Sequence, residues 1–354
     1  LAFSLARQLV RYNDLKRSVE ADQEIYNSMI DQMKETRIAE TAPSQVIRLA
    51  EEARPAGRPF RPVAAKILLR GALLGIGLGV GLIFALYYSD HRFRRNEEVE
   101  RALGVPVLTT LPLIEGSSVH ERGMHCHLHA TGEVPESFRT LRAITQVIPA
   151  LQNAQVFLVT STQPGDGKSL VATNLAITLS QDRRKTLLVG ADLRRPAFKP
   201  IFNVDEVPAG LSEILQGKLP WQEAINTELV PGLDILASGA IPSNPAELIG
   251  NPMMAQVMAE IREEYDLVVI DCSPMMMGIS DSLLMMQHAD GVLFVVRQGV
   301  THSLGAVHAM RRIAETDTPC LGALMNDVNL KSLANYYYYR RYGGYEYRQY
   351  HTPP

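Results

Sequence analysis

The sequence predicts an α/β fold with a doubly wound, mostly parallel β-sheet, preceded by a membrane-spanning helix and a further helical segment. From about residue 135, apolar runs of strand length alternate with helical stretches, the pattern of a parallel sheet covered by helices on both faces. Upstream, residues 71–88 form a run of 18 uncharged, mostly apolar residues, which is typical of a transmembrane helix. The strand candidates are residues 156–160, 186–189, 233–237, 267–270, 291–296 and 321–325.

Composition narrows the class of protein. The chain of 354 residues is long enough for about two structural units, and its hydrophobic content of 46% is ordinary for a globular protein. The net charge of −3 argues against nucleic acid as a partner, because proteins that bind phosphate backbones carry a basic surplus. Cys126, Cys272 and Cys320 are too few and too scattered for a disulfide framework, which fits a reducing compartment.

The N-terminal region is predicted to be helical. Residues 1–40 carry apolar side chains at alternating spacings of four and three, interrupted at Lys16 and Gln23. This spacing is compatible with a coiled coil and with a helix packed on a neighbour. Residues 53–62 contain three prolines, which stop a helix and favour extended backbone. Because the chain starts at Leu1 in mid-helix and without Met, we expect it to be the C-terminal part of a longer protein.

The apolar run predicts one membrane span. Together with residues 67–69, and with Arg70 able to snorkel, it reaches 22 residues, enough to cross a hydrocarbon core of about 30 Å. Basic residues flank the run on both sides, so the distribution of charge does not orient it. The orientation has to follow from the chemistry of the region downstream.

A phosphate-binding motif follows the first strand candidate of the sheet. The run TSTQPGDGKSLVATNLA joins an apolar strand to an apolar helix through a turn rich in Gly and Pro, which is the P-loop arrangement. Backbone N–H groups of residues 165–169 are expected to cradle phosphate at the positive end of the helix dipole. Lys168 would neutralise the β- and γ-phosphates, and the Ser169 hydroxyl would join a Mg²⁺ shell. Thr162 replaces the first glycine of the full motif, so this P-loop is a variant.

Two aspartates are predicted to reach the same edge of the sheet. Asp271 ends the apolar run LVVID, and Asp192 follows the apolar run TLLVG. An aspartate at the end of a strand beside a P-loop can hold a metal-bound water. We therefore expect Lys168, Asp192 and Asp271 to be the catalytic residues, with Ser169, Asp192 and Asp271 around the metal.

The motifs together resemble the bacterial tyrosine kinases of the polysaccharide co-polymerase group. The resemblance lies in Lys168-Ser169, the run DLRRP at 192–196, the run SGAIPSNPAELIGNP at 238–252 and the run YDLVVID at 265–271. It extends to the proline-rich approach and the apolar run upstream, and so covers essentially the whole chain. In fold these kinases are similar to the MinD/ParA branch of P-loop ATPases, whose signature lysine is replaced here by Gln163.

The resemblance implies ATP and Mg²⁺ as cofactors and assigns further residues. Nucleotide-binding residues are expected at Gly165, Asp166, Gly167, Lys168, Ser169, Leu170 and, near the adenine, Asn326. Glu136, Arg139 and Arg142 match the E-x-x-R-x-x-R helix through which these kinase domains form rings. The tail NYYYYRRYGGYEYRQY holds eight tyrosines, which resemble the autophosphorylation cluster of the family: Tyr336, Tyr337, Tyr338, Tyr339, Tyr342, Tyr345, Tyr347 and Tyr350.

The implied organisation has five parts. They are the end of a periplasmic co-polymerase domain at 1–62, a transmembrane helix at 63–90, a cytoplasmic linker at 91–134, a kinase domain at 135–332 and the tyrosine-rich tail at 333–354. Since ATP is cytosolic, the kinase domain is expected on the cytoplasmic side of a bacterial inner membrane. The expected partners are other copies of the chain in a ring, the lipid bilayer, a polysaccharide polymerase, an outer-membrane exporter and a tyrosine phosphatase.

The expected function is tyrosine autophosphorylation in trans within a ring, regulating the assembly of exopolysaccharide or capsule. Phosphorylated tails add negative charge and should push neighbouring protomers apart. The alternative is a non-catalytic scaffold in which nucleotide occupancy sets the oligomeric state. An ATPase that positions cargo on membranes is disfavoured by Gln163 and by the tail.

Gly190 breaks the family's pattern. The second motif of the family carries two aspartates separated by one residue, and Gly190 stands in place of the first. The loss of a general base typically slows a reaction by about 10²–10⁴-fold. An engineered substitution, a naturally weak kinase and a pseudokinase that still binds ATP all remain compatible with the sequence. The run MHCHLH at 124–129 does not match ordinary metal-site spacing.

Overall fold

The computed structural model describes residues 2–41, 57, 64–204 and 209–330. The chain divides into two compact units, Leu1–Gly81 and Leu82–Pro354. The first unit consists of helix α1 (Ala2–Thr41) and most of helix α2 (Ala64–Ser89). The predicted N-terminal helix is therefore present. Its apolar stripe lies open, because the side chains of Leu9, Tyr12 and Val19 are each more than half exposed.

Helix α2 contains the predicted apolar span. Its segment Ala65–Leu86 has 22 residues with a mean hydropathy of 2.1, and none of it is buried in the described protein. It is the one helix of the described residues that is long and apolar enough to cross a membrane.

The second unit is built on one eight-stranded sheet with the order β1-β8-β7-β2-β6-β3-β5-β4. All neighbouring strands run parallel except β4, which pairs antiparallel with β5. The strands are β1 (Val107–Pro112), β2 (Val156–Ser161), β3 (Thr186–Gly190), β4 (Ile225–Val230), β5 (Leu233–Leu236), β6 (Leu267–Asp271), β7 (Gly291–Arg297) and β8 (Cys320–Val328).

Helices cover both faces of this sheet, and a short 3-10 helix (Trp221–Ala224) precedes β4. The helices are α3 (Asn96–Leu103), α4 (Val119–Gly123), α5 (His125–Leu128), α6 (Glu133–Val147), α7 (Pro149–Gln152), α8 (Lys168–Ser180), α9 (Phe198–Phe202), α10 (Leu211–Leu215), α11 (Pro245–Ile249), α12 (Pro252–Glu264), α13 (Ile279–Met286) and α14 (Ser303–Ala314). The buried apolar residues form two clusters that share the central strands. On β2, Val156 and Leu158 belong to one cluster and Phe157 and Val159 to the other.

The predicted strands are all present. Each became recognisable because a strand buried on both faces is a nearly continuous apolar run, and every residue of β2, β3 and β6 is buried. The prediction missed β4. Its sequence INTELV is polar over three residues, since it forms the antiparallel edge of the sheet and packs on one side only.

The region 91–134, expected to be a cytoplasmic linker with a short helix, a strand-like turn at 104–112 and a polar loop, is part of the folded unit. This region forms α3, β1, α4 and α5, and β1 lies parallel to β8 at the edge of the sheet. Its side chains Phe93, Val99 and Leu111 are at most 2% exposed. The strand lies within the expected strand-like turn, and its sequence VLTTLP has only partial apolar character, which suits an edge position that leaves much of the strand half-buried. The folded unit therefore begins well before residue 135.

Because β1 belongs to the core, truncating Leu111 should be costly. Leu111 is fully buried, whereas Leu113, two residues on, is 47% exposed. We expect Leu111→Ala to lower the free energy of unfolding by about 2–5 kcal/mol, as buried Leu→Ala changes do. Leu113→Ala is the matched control and should change it by about 0.5 kcal/mol or less. The free energy of unfolding of both variants is measured by denaturant titration. Equal small effects of the two substitutions would show that β1 does not belong to the core.

Candidate functional site

The carboxyl ends of three neighbouring strands define the site. Strand β6 lies between β2 and β3, and its last residue, Asp271, pairs in register with Val159 on one side and Gly190 on the other. The P-loop leaves β2 at this edge and enters α8 at Lys168. In open parallel sheets, ligands bind outside the carboxyl ends of the strands. The topology thus brings the predicted P-loop and both predicted aspartates together.

The P-loop has a conformation that requires glycine at two positions. Gly165 and Gly167 have φ of +90° and +94°, a region that L side chains rarely adopt. At Gly167 a Cβ atom would also come within 2.1 Å of Asn326 Nδ2. That amide donates a hydrogen bond of 2.9 Å to the carbonyl oxygen of Asp166. Asn326 therefore packs directly on the loop and holds its backbone.

Lys168 is enclosed by oxygen atoms. Its Nζ lies 2.9 Å from Asp192 Oδ2, 3.1 Å from Asp271 Oδ1 and 3.1 Å from Ser169 Oγ. Burial alone would lower the pKa of Lys168, but the charges of Asp271 and Asp192 raise it above its ordinary value. The lysine thus remains an ammonium ion. Burial raises the pKa of Asp271, against the opposing attraction of Lys168.

Asp192 is held by neighbours as well as by the lysine. Its Oδ1 accepts hydrogen bonds of 3.0 Å from the Ser273 hydroxyl and from the backbone N–H of Arg195. The carbonyl oxygen of Ser273 in turn accepts from the hydroxyls of Thr160 and Ser282. These contacts fix one carboxylate oxygen and leave the other facing Lys168.

A cavity of about 470 Å³ opens beside the P-loop. Five basic side chains line it against two acidic ones, Asp192 and Asp327, so its potential suits a polyanion. The basic residues are Lys168, Arg122, Arg194, Arg195 and Arg297.

The four arginines are held to different degrees. Arg194 makes two hydrogen bonds, of 2.6 and 3.0 Å, to the buried carboxylate of Asp281. Arg297 pairs with Asp327 and donates a bond of 3.0 Å to the carbonyl oxygen of Gly165. Within the described part of the chain, the side chain of Arg195 has no hydrogen bond or ion pair. It is the cation most available to an incoming ligand.

The structure brings together most of the predicted site residues. Gly165, Gly167, Lys168, Ser169, Leu170, Asp192 and Asn326 all line the cavity. Asp166 turns its carboxylate into the protein, where it is fully buried, and Asp271 lies behind Lys168. The tyrosines of the tail, Tyr336 to Tyr350, lie outside the described residues.

Sequence reasoning missed Arg122 and Arg297. Arg297 could have been predicted from the sequence, because this residue ends β7 and so lies at the same edge of the sheet as the P-loop. Arg122 gave no signal, since it lies in the region expected to be a linker.

Ser238 and Phe198 occupy the space into which a side chain at position 190 would project. A Cβ atom there would lie 2.7 Å from Ser238 Oγ, 3.0 Å from Phe198 Cε2 and 3.1 Å from the Ser238 nitrogen. A side chain at this position therefore requires Ser238 to turn away. The residue is the last of β3, two positions before Asp192.

The remaining candidates lie away from the cavity. Glu136, Arg139 and Arg142 lie on α6, where Arg139 pairs with Glu136 at 2.9 Å and Arg142 donates a bond of 2.9 Å to the carbonyl oxygen of Thr178. The run at 124–129 packs on α8, with the Cys126 N–H donating to Asn174 Oδ1. Among the described residues, no three His, Cys, Asp or Glu side chains form a group that could hold a metal ion.

Comparisons with known proteins agree with this geometry. A profile described as an AAA domain matches residues 154–319, and one described as a G-rich domain on putative tyrosine kinase matches residues 5–87. The tyrosine-protein kinase YwqD of Bacillus subtilis is 33% identical over 204 residues, which cover 58% of this chain and 85% of that protein. The chain belongs to the bacterial tyrosine kinase family.

Other members of this kinase family match over longer or better-defined regions. The putative tyrosine-protein kinase EpsB of Ralstonia nicotianae is 30% identical over 95% of this chain and 46% of its own length. The solved kinase domain of the Escherichia coli tyrosine kinase ETK matches with a TM-score of 0.58 and 26% identity, covering 65% of this chain and 92% of that domain. The chain spans about half the length of the curated relatives it matches first.

These findings confirm the predicted family and fold class. The P-loop, Asp192 and Asp271 lie within residues 154–319, the region that matches the AAA domain profile.

Proposed function

We propose that this chain is an ATP-dependent protein-tyrosine autokinase that phosphorylates its C-terminal tyrosines and regulates the assembly or export of a surface polysaccharide. The observation that carries the proposal is the position of Lys168. Its ammonium group lies between Asp192 and Asp271 at the mouth of a cationic cavity, in a chain whose relatives are named tyrosine-protein kinases.

The phosphate-binding part of the site follows from charge and geometry. The N–H groups at the start of α8 point toward the cavity, where the helix dipole favours negative charge. Lys168 exchanges its carboxylate partners for the β- and γ-phosphates, and Arg195 is free to add a second cation. Phosphoryl transfer depends mainly on this kind of positioning and neutralisation.

The oxygen set around Lys168 suits Mg²⁺. Asp192 and Asp271 bring carboxylate oxygens to one point beside the P-loop, and Ser169 adds a hydroxyl oxygen. Mg²⁺ commonly takes one or two carboxylates and completes its shell with water and phosphate, so the lack of a larger ligand group is no obstacle. When bound with ATP, Mg²⁺ neutralises charge on the phosphates. Ser169 and Asp271 are the residues that would hold it, and Asp192 lies beside them in a role that is either metal-proximal or that of the base.

Asp192 is the candidate for accepting the tyrosine's proton. Its Oδ1 is occupied by Ser273 and Arg195, whereas Oδ2 contacts only Lys168. Once Lys168 turns to the phosphates, Oδ2 becomes available to a tyrosine hydroxyl. The phenolic oxygen forms a bond to the γ-phosphorus, the bond to the leaving ADP oxygen breaks, and the proton passes to Asp192.

The wider assembly is proposed from family membership. Helix α2 would span a bacterial inner membrane with the nucleotide site on the cytoplasmic side, because ATP is cytosolic. The second unit would act in a ring of copies, in which the tail of one protomer reaches the cavity of the next. A polysaccharide polymerase, an exporter and a tyrosine phosphatase would be the other partners.

A non-catalytic scaffold is the second candidate, and Gly190 is the observation that favours it. This position lacks the family's first aspartate, and Ser238 and Phe198 have closed the space that a side chain would need. In that case nucleotide binding would set the oligomeric state without phosphoryl transfer.

Restoring the carboxylate at position 190 tests its contribution. Because Ser238 Oγ blocks the space, the substitution is made in a Ser238→Ala background. We expect Gly190→Asp with Ser238→Ala to autophosphorylate about 10²-fold or more faster than Gly190→Asn with Ser238→Ala, because a carboxylate at this position would support deprotonation of the tyrosine. The Asn variant is the matched control because it has the same shape without the charge.

Phosphotyrosine formation with Mg·ATP is measured as a time course for both double variants and for the unchanged chain. Equal rates for the Asp and Asn variants would show that a carboxylate at position 190 has no role in this protein. If none of the three chains forms phosphotyrosine although each binds nucleotide, the protein is a non-catalytic scaffold.

The proposed ring contact on α6 has its own test. Replacing Glu136, Arg139 and Arg142 with Ala should convert a ring to monomers in light scattering of detergent-solubilised protein. Arg311 and Arg312 on α14, with Glu315 directly after it, form the matched control, since they carry the same charges and include an exposed pair of 2.8 Å. Rings that survive the α6 change, or that also break in the α14 control, would contradict the assignment.

A further inference from the structure

The segment that follows α2 is tied to a turn beside the P-loop. This entry segment, residues 91–93, runs antiparallel to residues 299–303 and forms a β-bridge between Arg92 and His302. The Phe93 N–H donates to the Thr301 carbonyl oxygen at 3.2 Å, and the Phe93 carbonyl oxygen accepts from Gly299 at 2.7 Å. The Phe93 ring is 2% exposed. The entry segment is thus fixed to the turn by both backbone pairing and burial.

Thr301 is the one residue of this turn that reaches the P-loop by its side chain among the described hydrogen bonds. It is fully buried. Its hydroxyl donates to Asp166 Oδ1 at 2.9 Å and accepts from the Arg297 N–H at 2.8 Å. Both the donor and an acceptor position of the hydroxyl are therefore used.

Asp166 connects Thr301 to the backbone of the P-loop. Its other carboxylate oxygen accepts from the Gln163 N–H at 3.0 Å, and its carbonyl oxygen accepts from Asn326. Arg297, whose N–H bonds Thr301, also donates from its guanidinium to the carbonyl oxygen of Gly165. The loop is thus held from residue 163 to residue 166 by groups that meet at Thr301.

We infer that Thr301 is a positioning residue for the P-loop, and that the entry segment sets the affinity for nucleotide through it. The chain enters the folded unit at this segment, and the backbone pairing of the segment with residues 299–303 places it one side-chain hydrogen bond, that of Thr301, from the P-loop. The inference rests on the proposed nucleotide site but not on tyrosine phosphorylation.

The first test removes the hydroxyl without changing the shape of the side chain. In the full chain we expect Thr301→Val to weaken the binding of a fluorescent Mg·ADP analogue about tenfold, while Thr301→Ser, which keeps the hydroxyl, stays within about twofold. A tenfold change is the size expected from one lost hydrogen bond in a buried setting. Thr318→Val is the matched control, because Thr318 is also buried and its hydroxyl donates to the Met286 carbonyl oxygen at 2.6 Å.

The second test asks whether the entry segment acts through Thr301. Phe93→Ala, or the milder Phe93→Leu, should weaken nucleotide binding in the unchanged chain but add little in the Thr301→Val background. Effects that share one path are non-additive, whereas those of independent sites add. Val99→Ala is the control, since Val99 is buried in α3 outside the paired segment and should leave affinity unchanged.

The outcomes separate the two proposals. If the unchanged chain binds no Mg·ADP, the nucleotide site and this inference both fail. If it binds and Thr301→Val binds equally well, or Thr318→Val loses as much, only the inference fails. If the effects of the Phe93 and Thr301 substitutions add, the entry segment does not act through Thr301, and that part of the inference is wrong.

Discussion

The burial of Lys168 between Asp192 and Asp271 is the interaction on which the rest of the structure depends. A buried ammonium is tolerated only when carboxylates neutralise it, and here the two carboxylates come from the ends of different strands. They meet because β3 and β6 are parallel neighbours in register, so that both strands end at the same edge. Lys168 reaches the same point because β2 lies on the other side of β6 and leads into α8. The ionic cluster therefore requires this sheet order, this strand polarity and this P-loop together.

The same cluster explains how an acidic chain can hold a polyanion. The protein carries a net charge of −3, yet its cavity is lined mostly by basic side chains. Arg194 and Arg297 are paired with aspartates that fix their direction, while Arg195 lacks a partner in the described residues. Lys168 has carboxylate partners that a Mg²⁺-bound nucleotide can displace. The cavity thus has a positive lining before a ligand binds. Most of its cations are paired, which avoids the desolvation cost of several unpaired buried cations.

Contiguous motifs predicted the parts of the site that lie close together in the chain. Lys168, Ser169 and Asp271 were accessible because a glycine-rich turn between an apolar strand and a helix, and an aspartate after LVVID, are local signals. Arg122 and Thr301 were not, since their roles arise from contacts between segments far apart in sequence. The edge strand β1 was indicated only as a strand-like turn, because half-buried positions dilute its apolar pattern. The crowding around Gly190 depends on Ser238 and Phe198, and only the packed structure brings these residues together.

The central claim is that this P-loop site transfers phosphate to the tyrosine tail. It is tested most directly by mapping phosphotyrosine by mass spectrometry after incubation with Mg·ATP, in the full chain and in a variant lacking residues 336–350. We expect phosphotyrosine within 336–350 of the full chain and none in the deletion variant, with equal affinity of both for nucleotide. Phosphotyrosine elsewhere in the deletion variant, or none in a full chain that binds nucleotide, would contradict it.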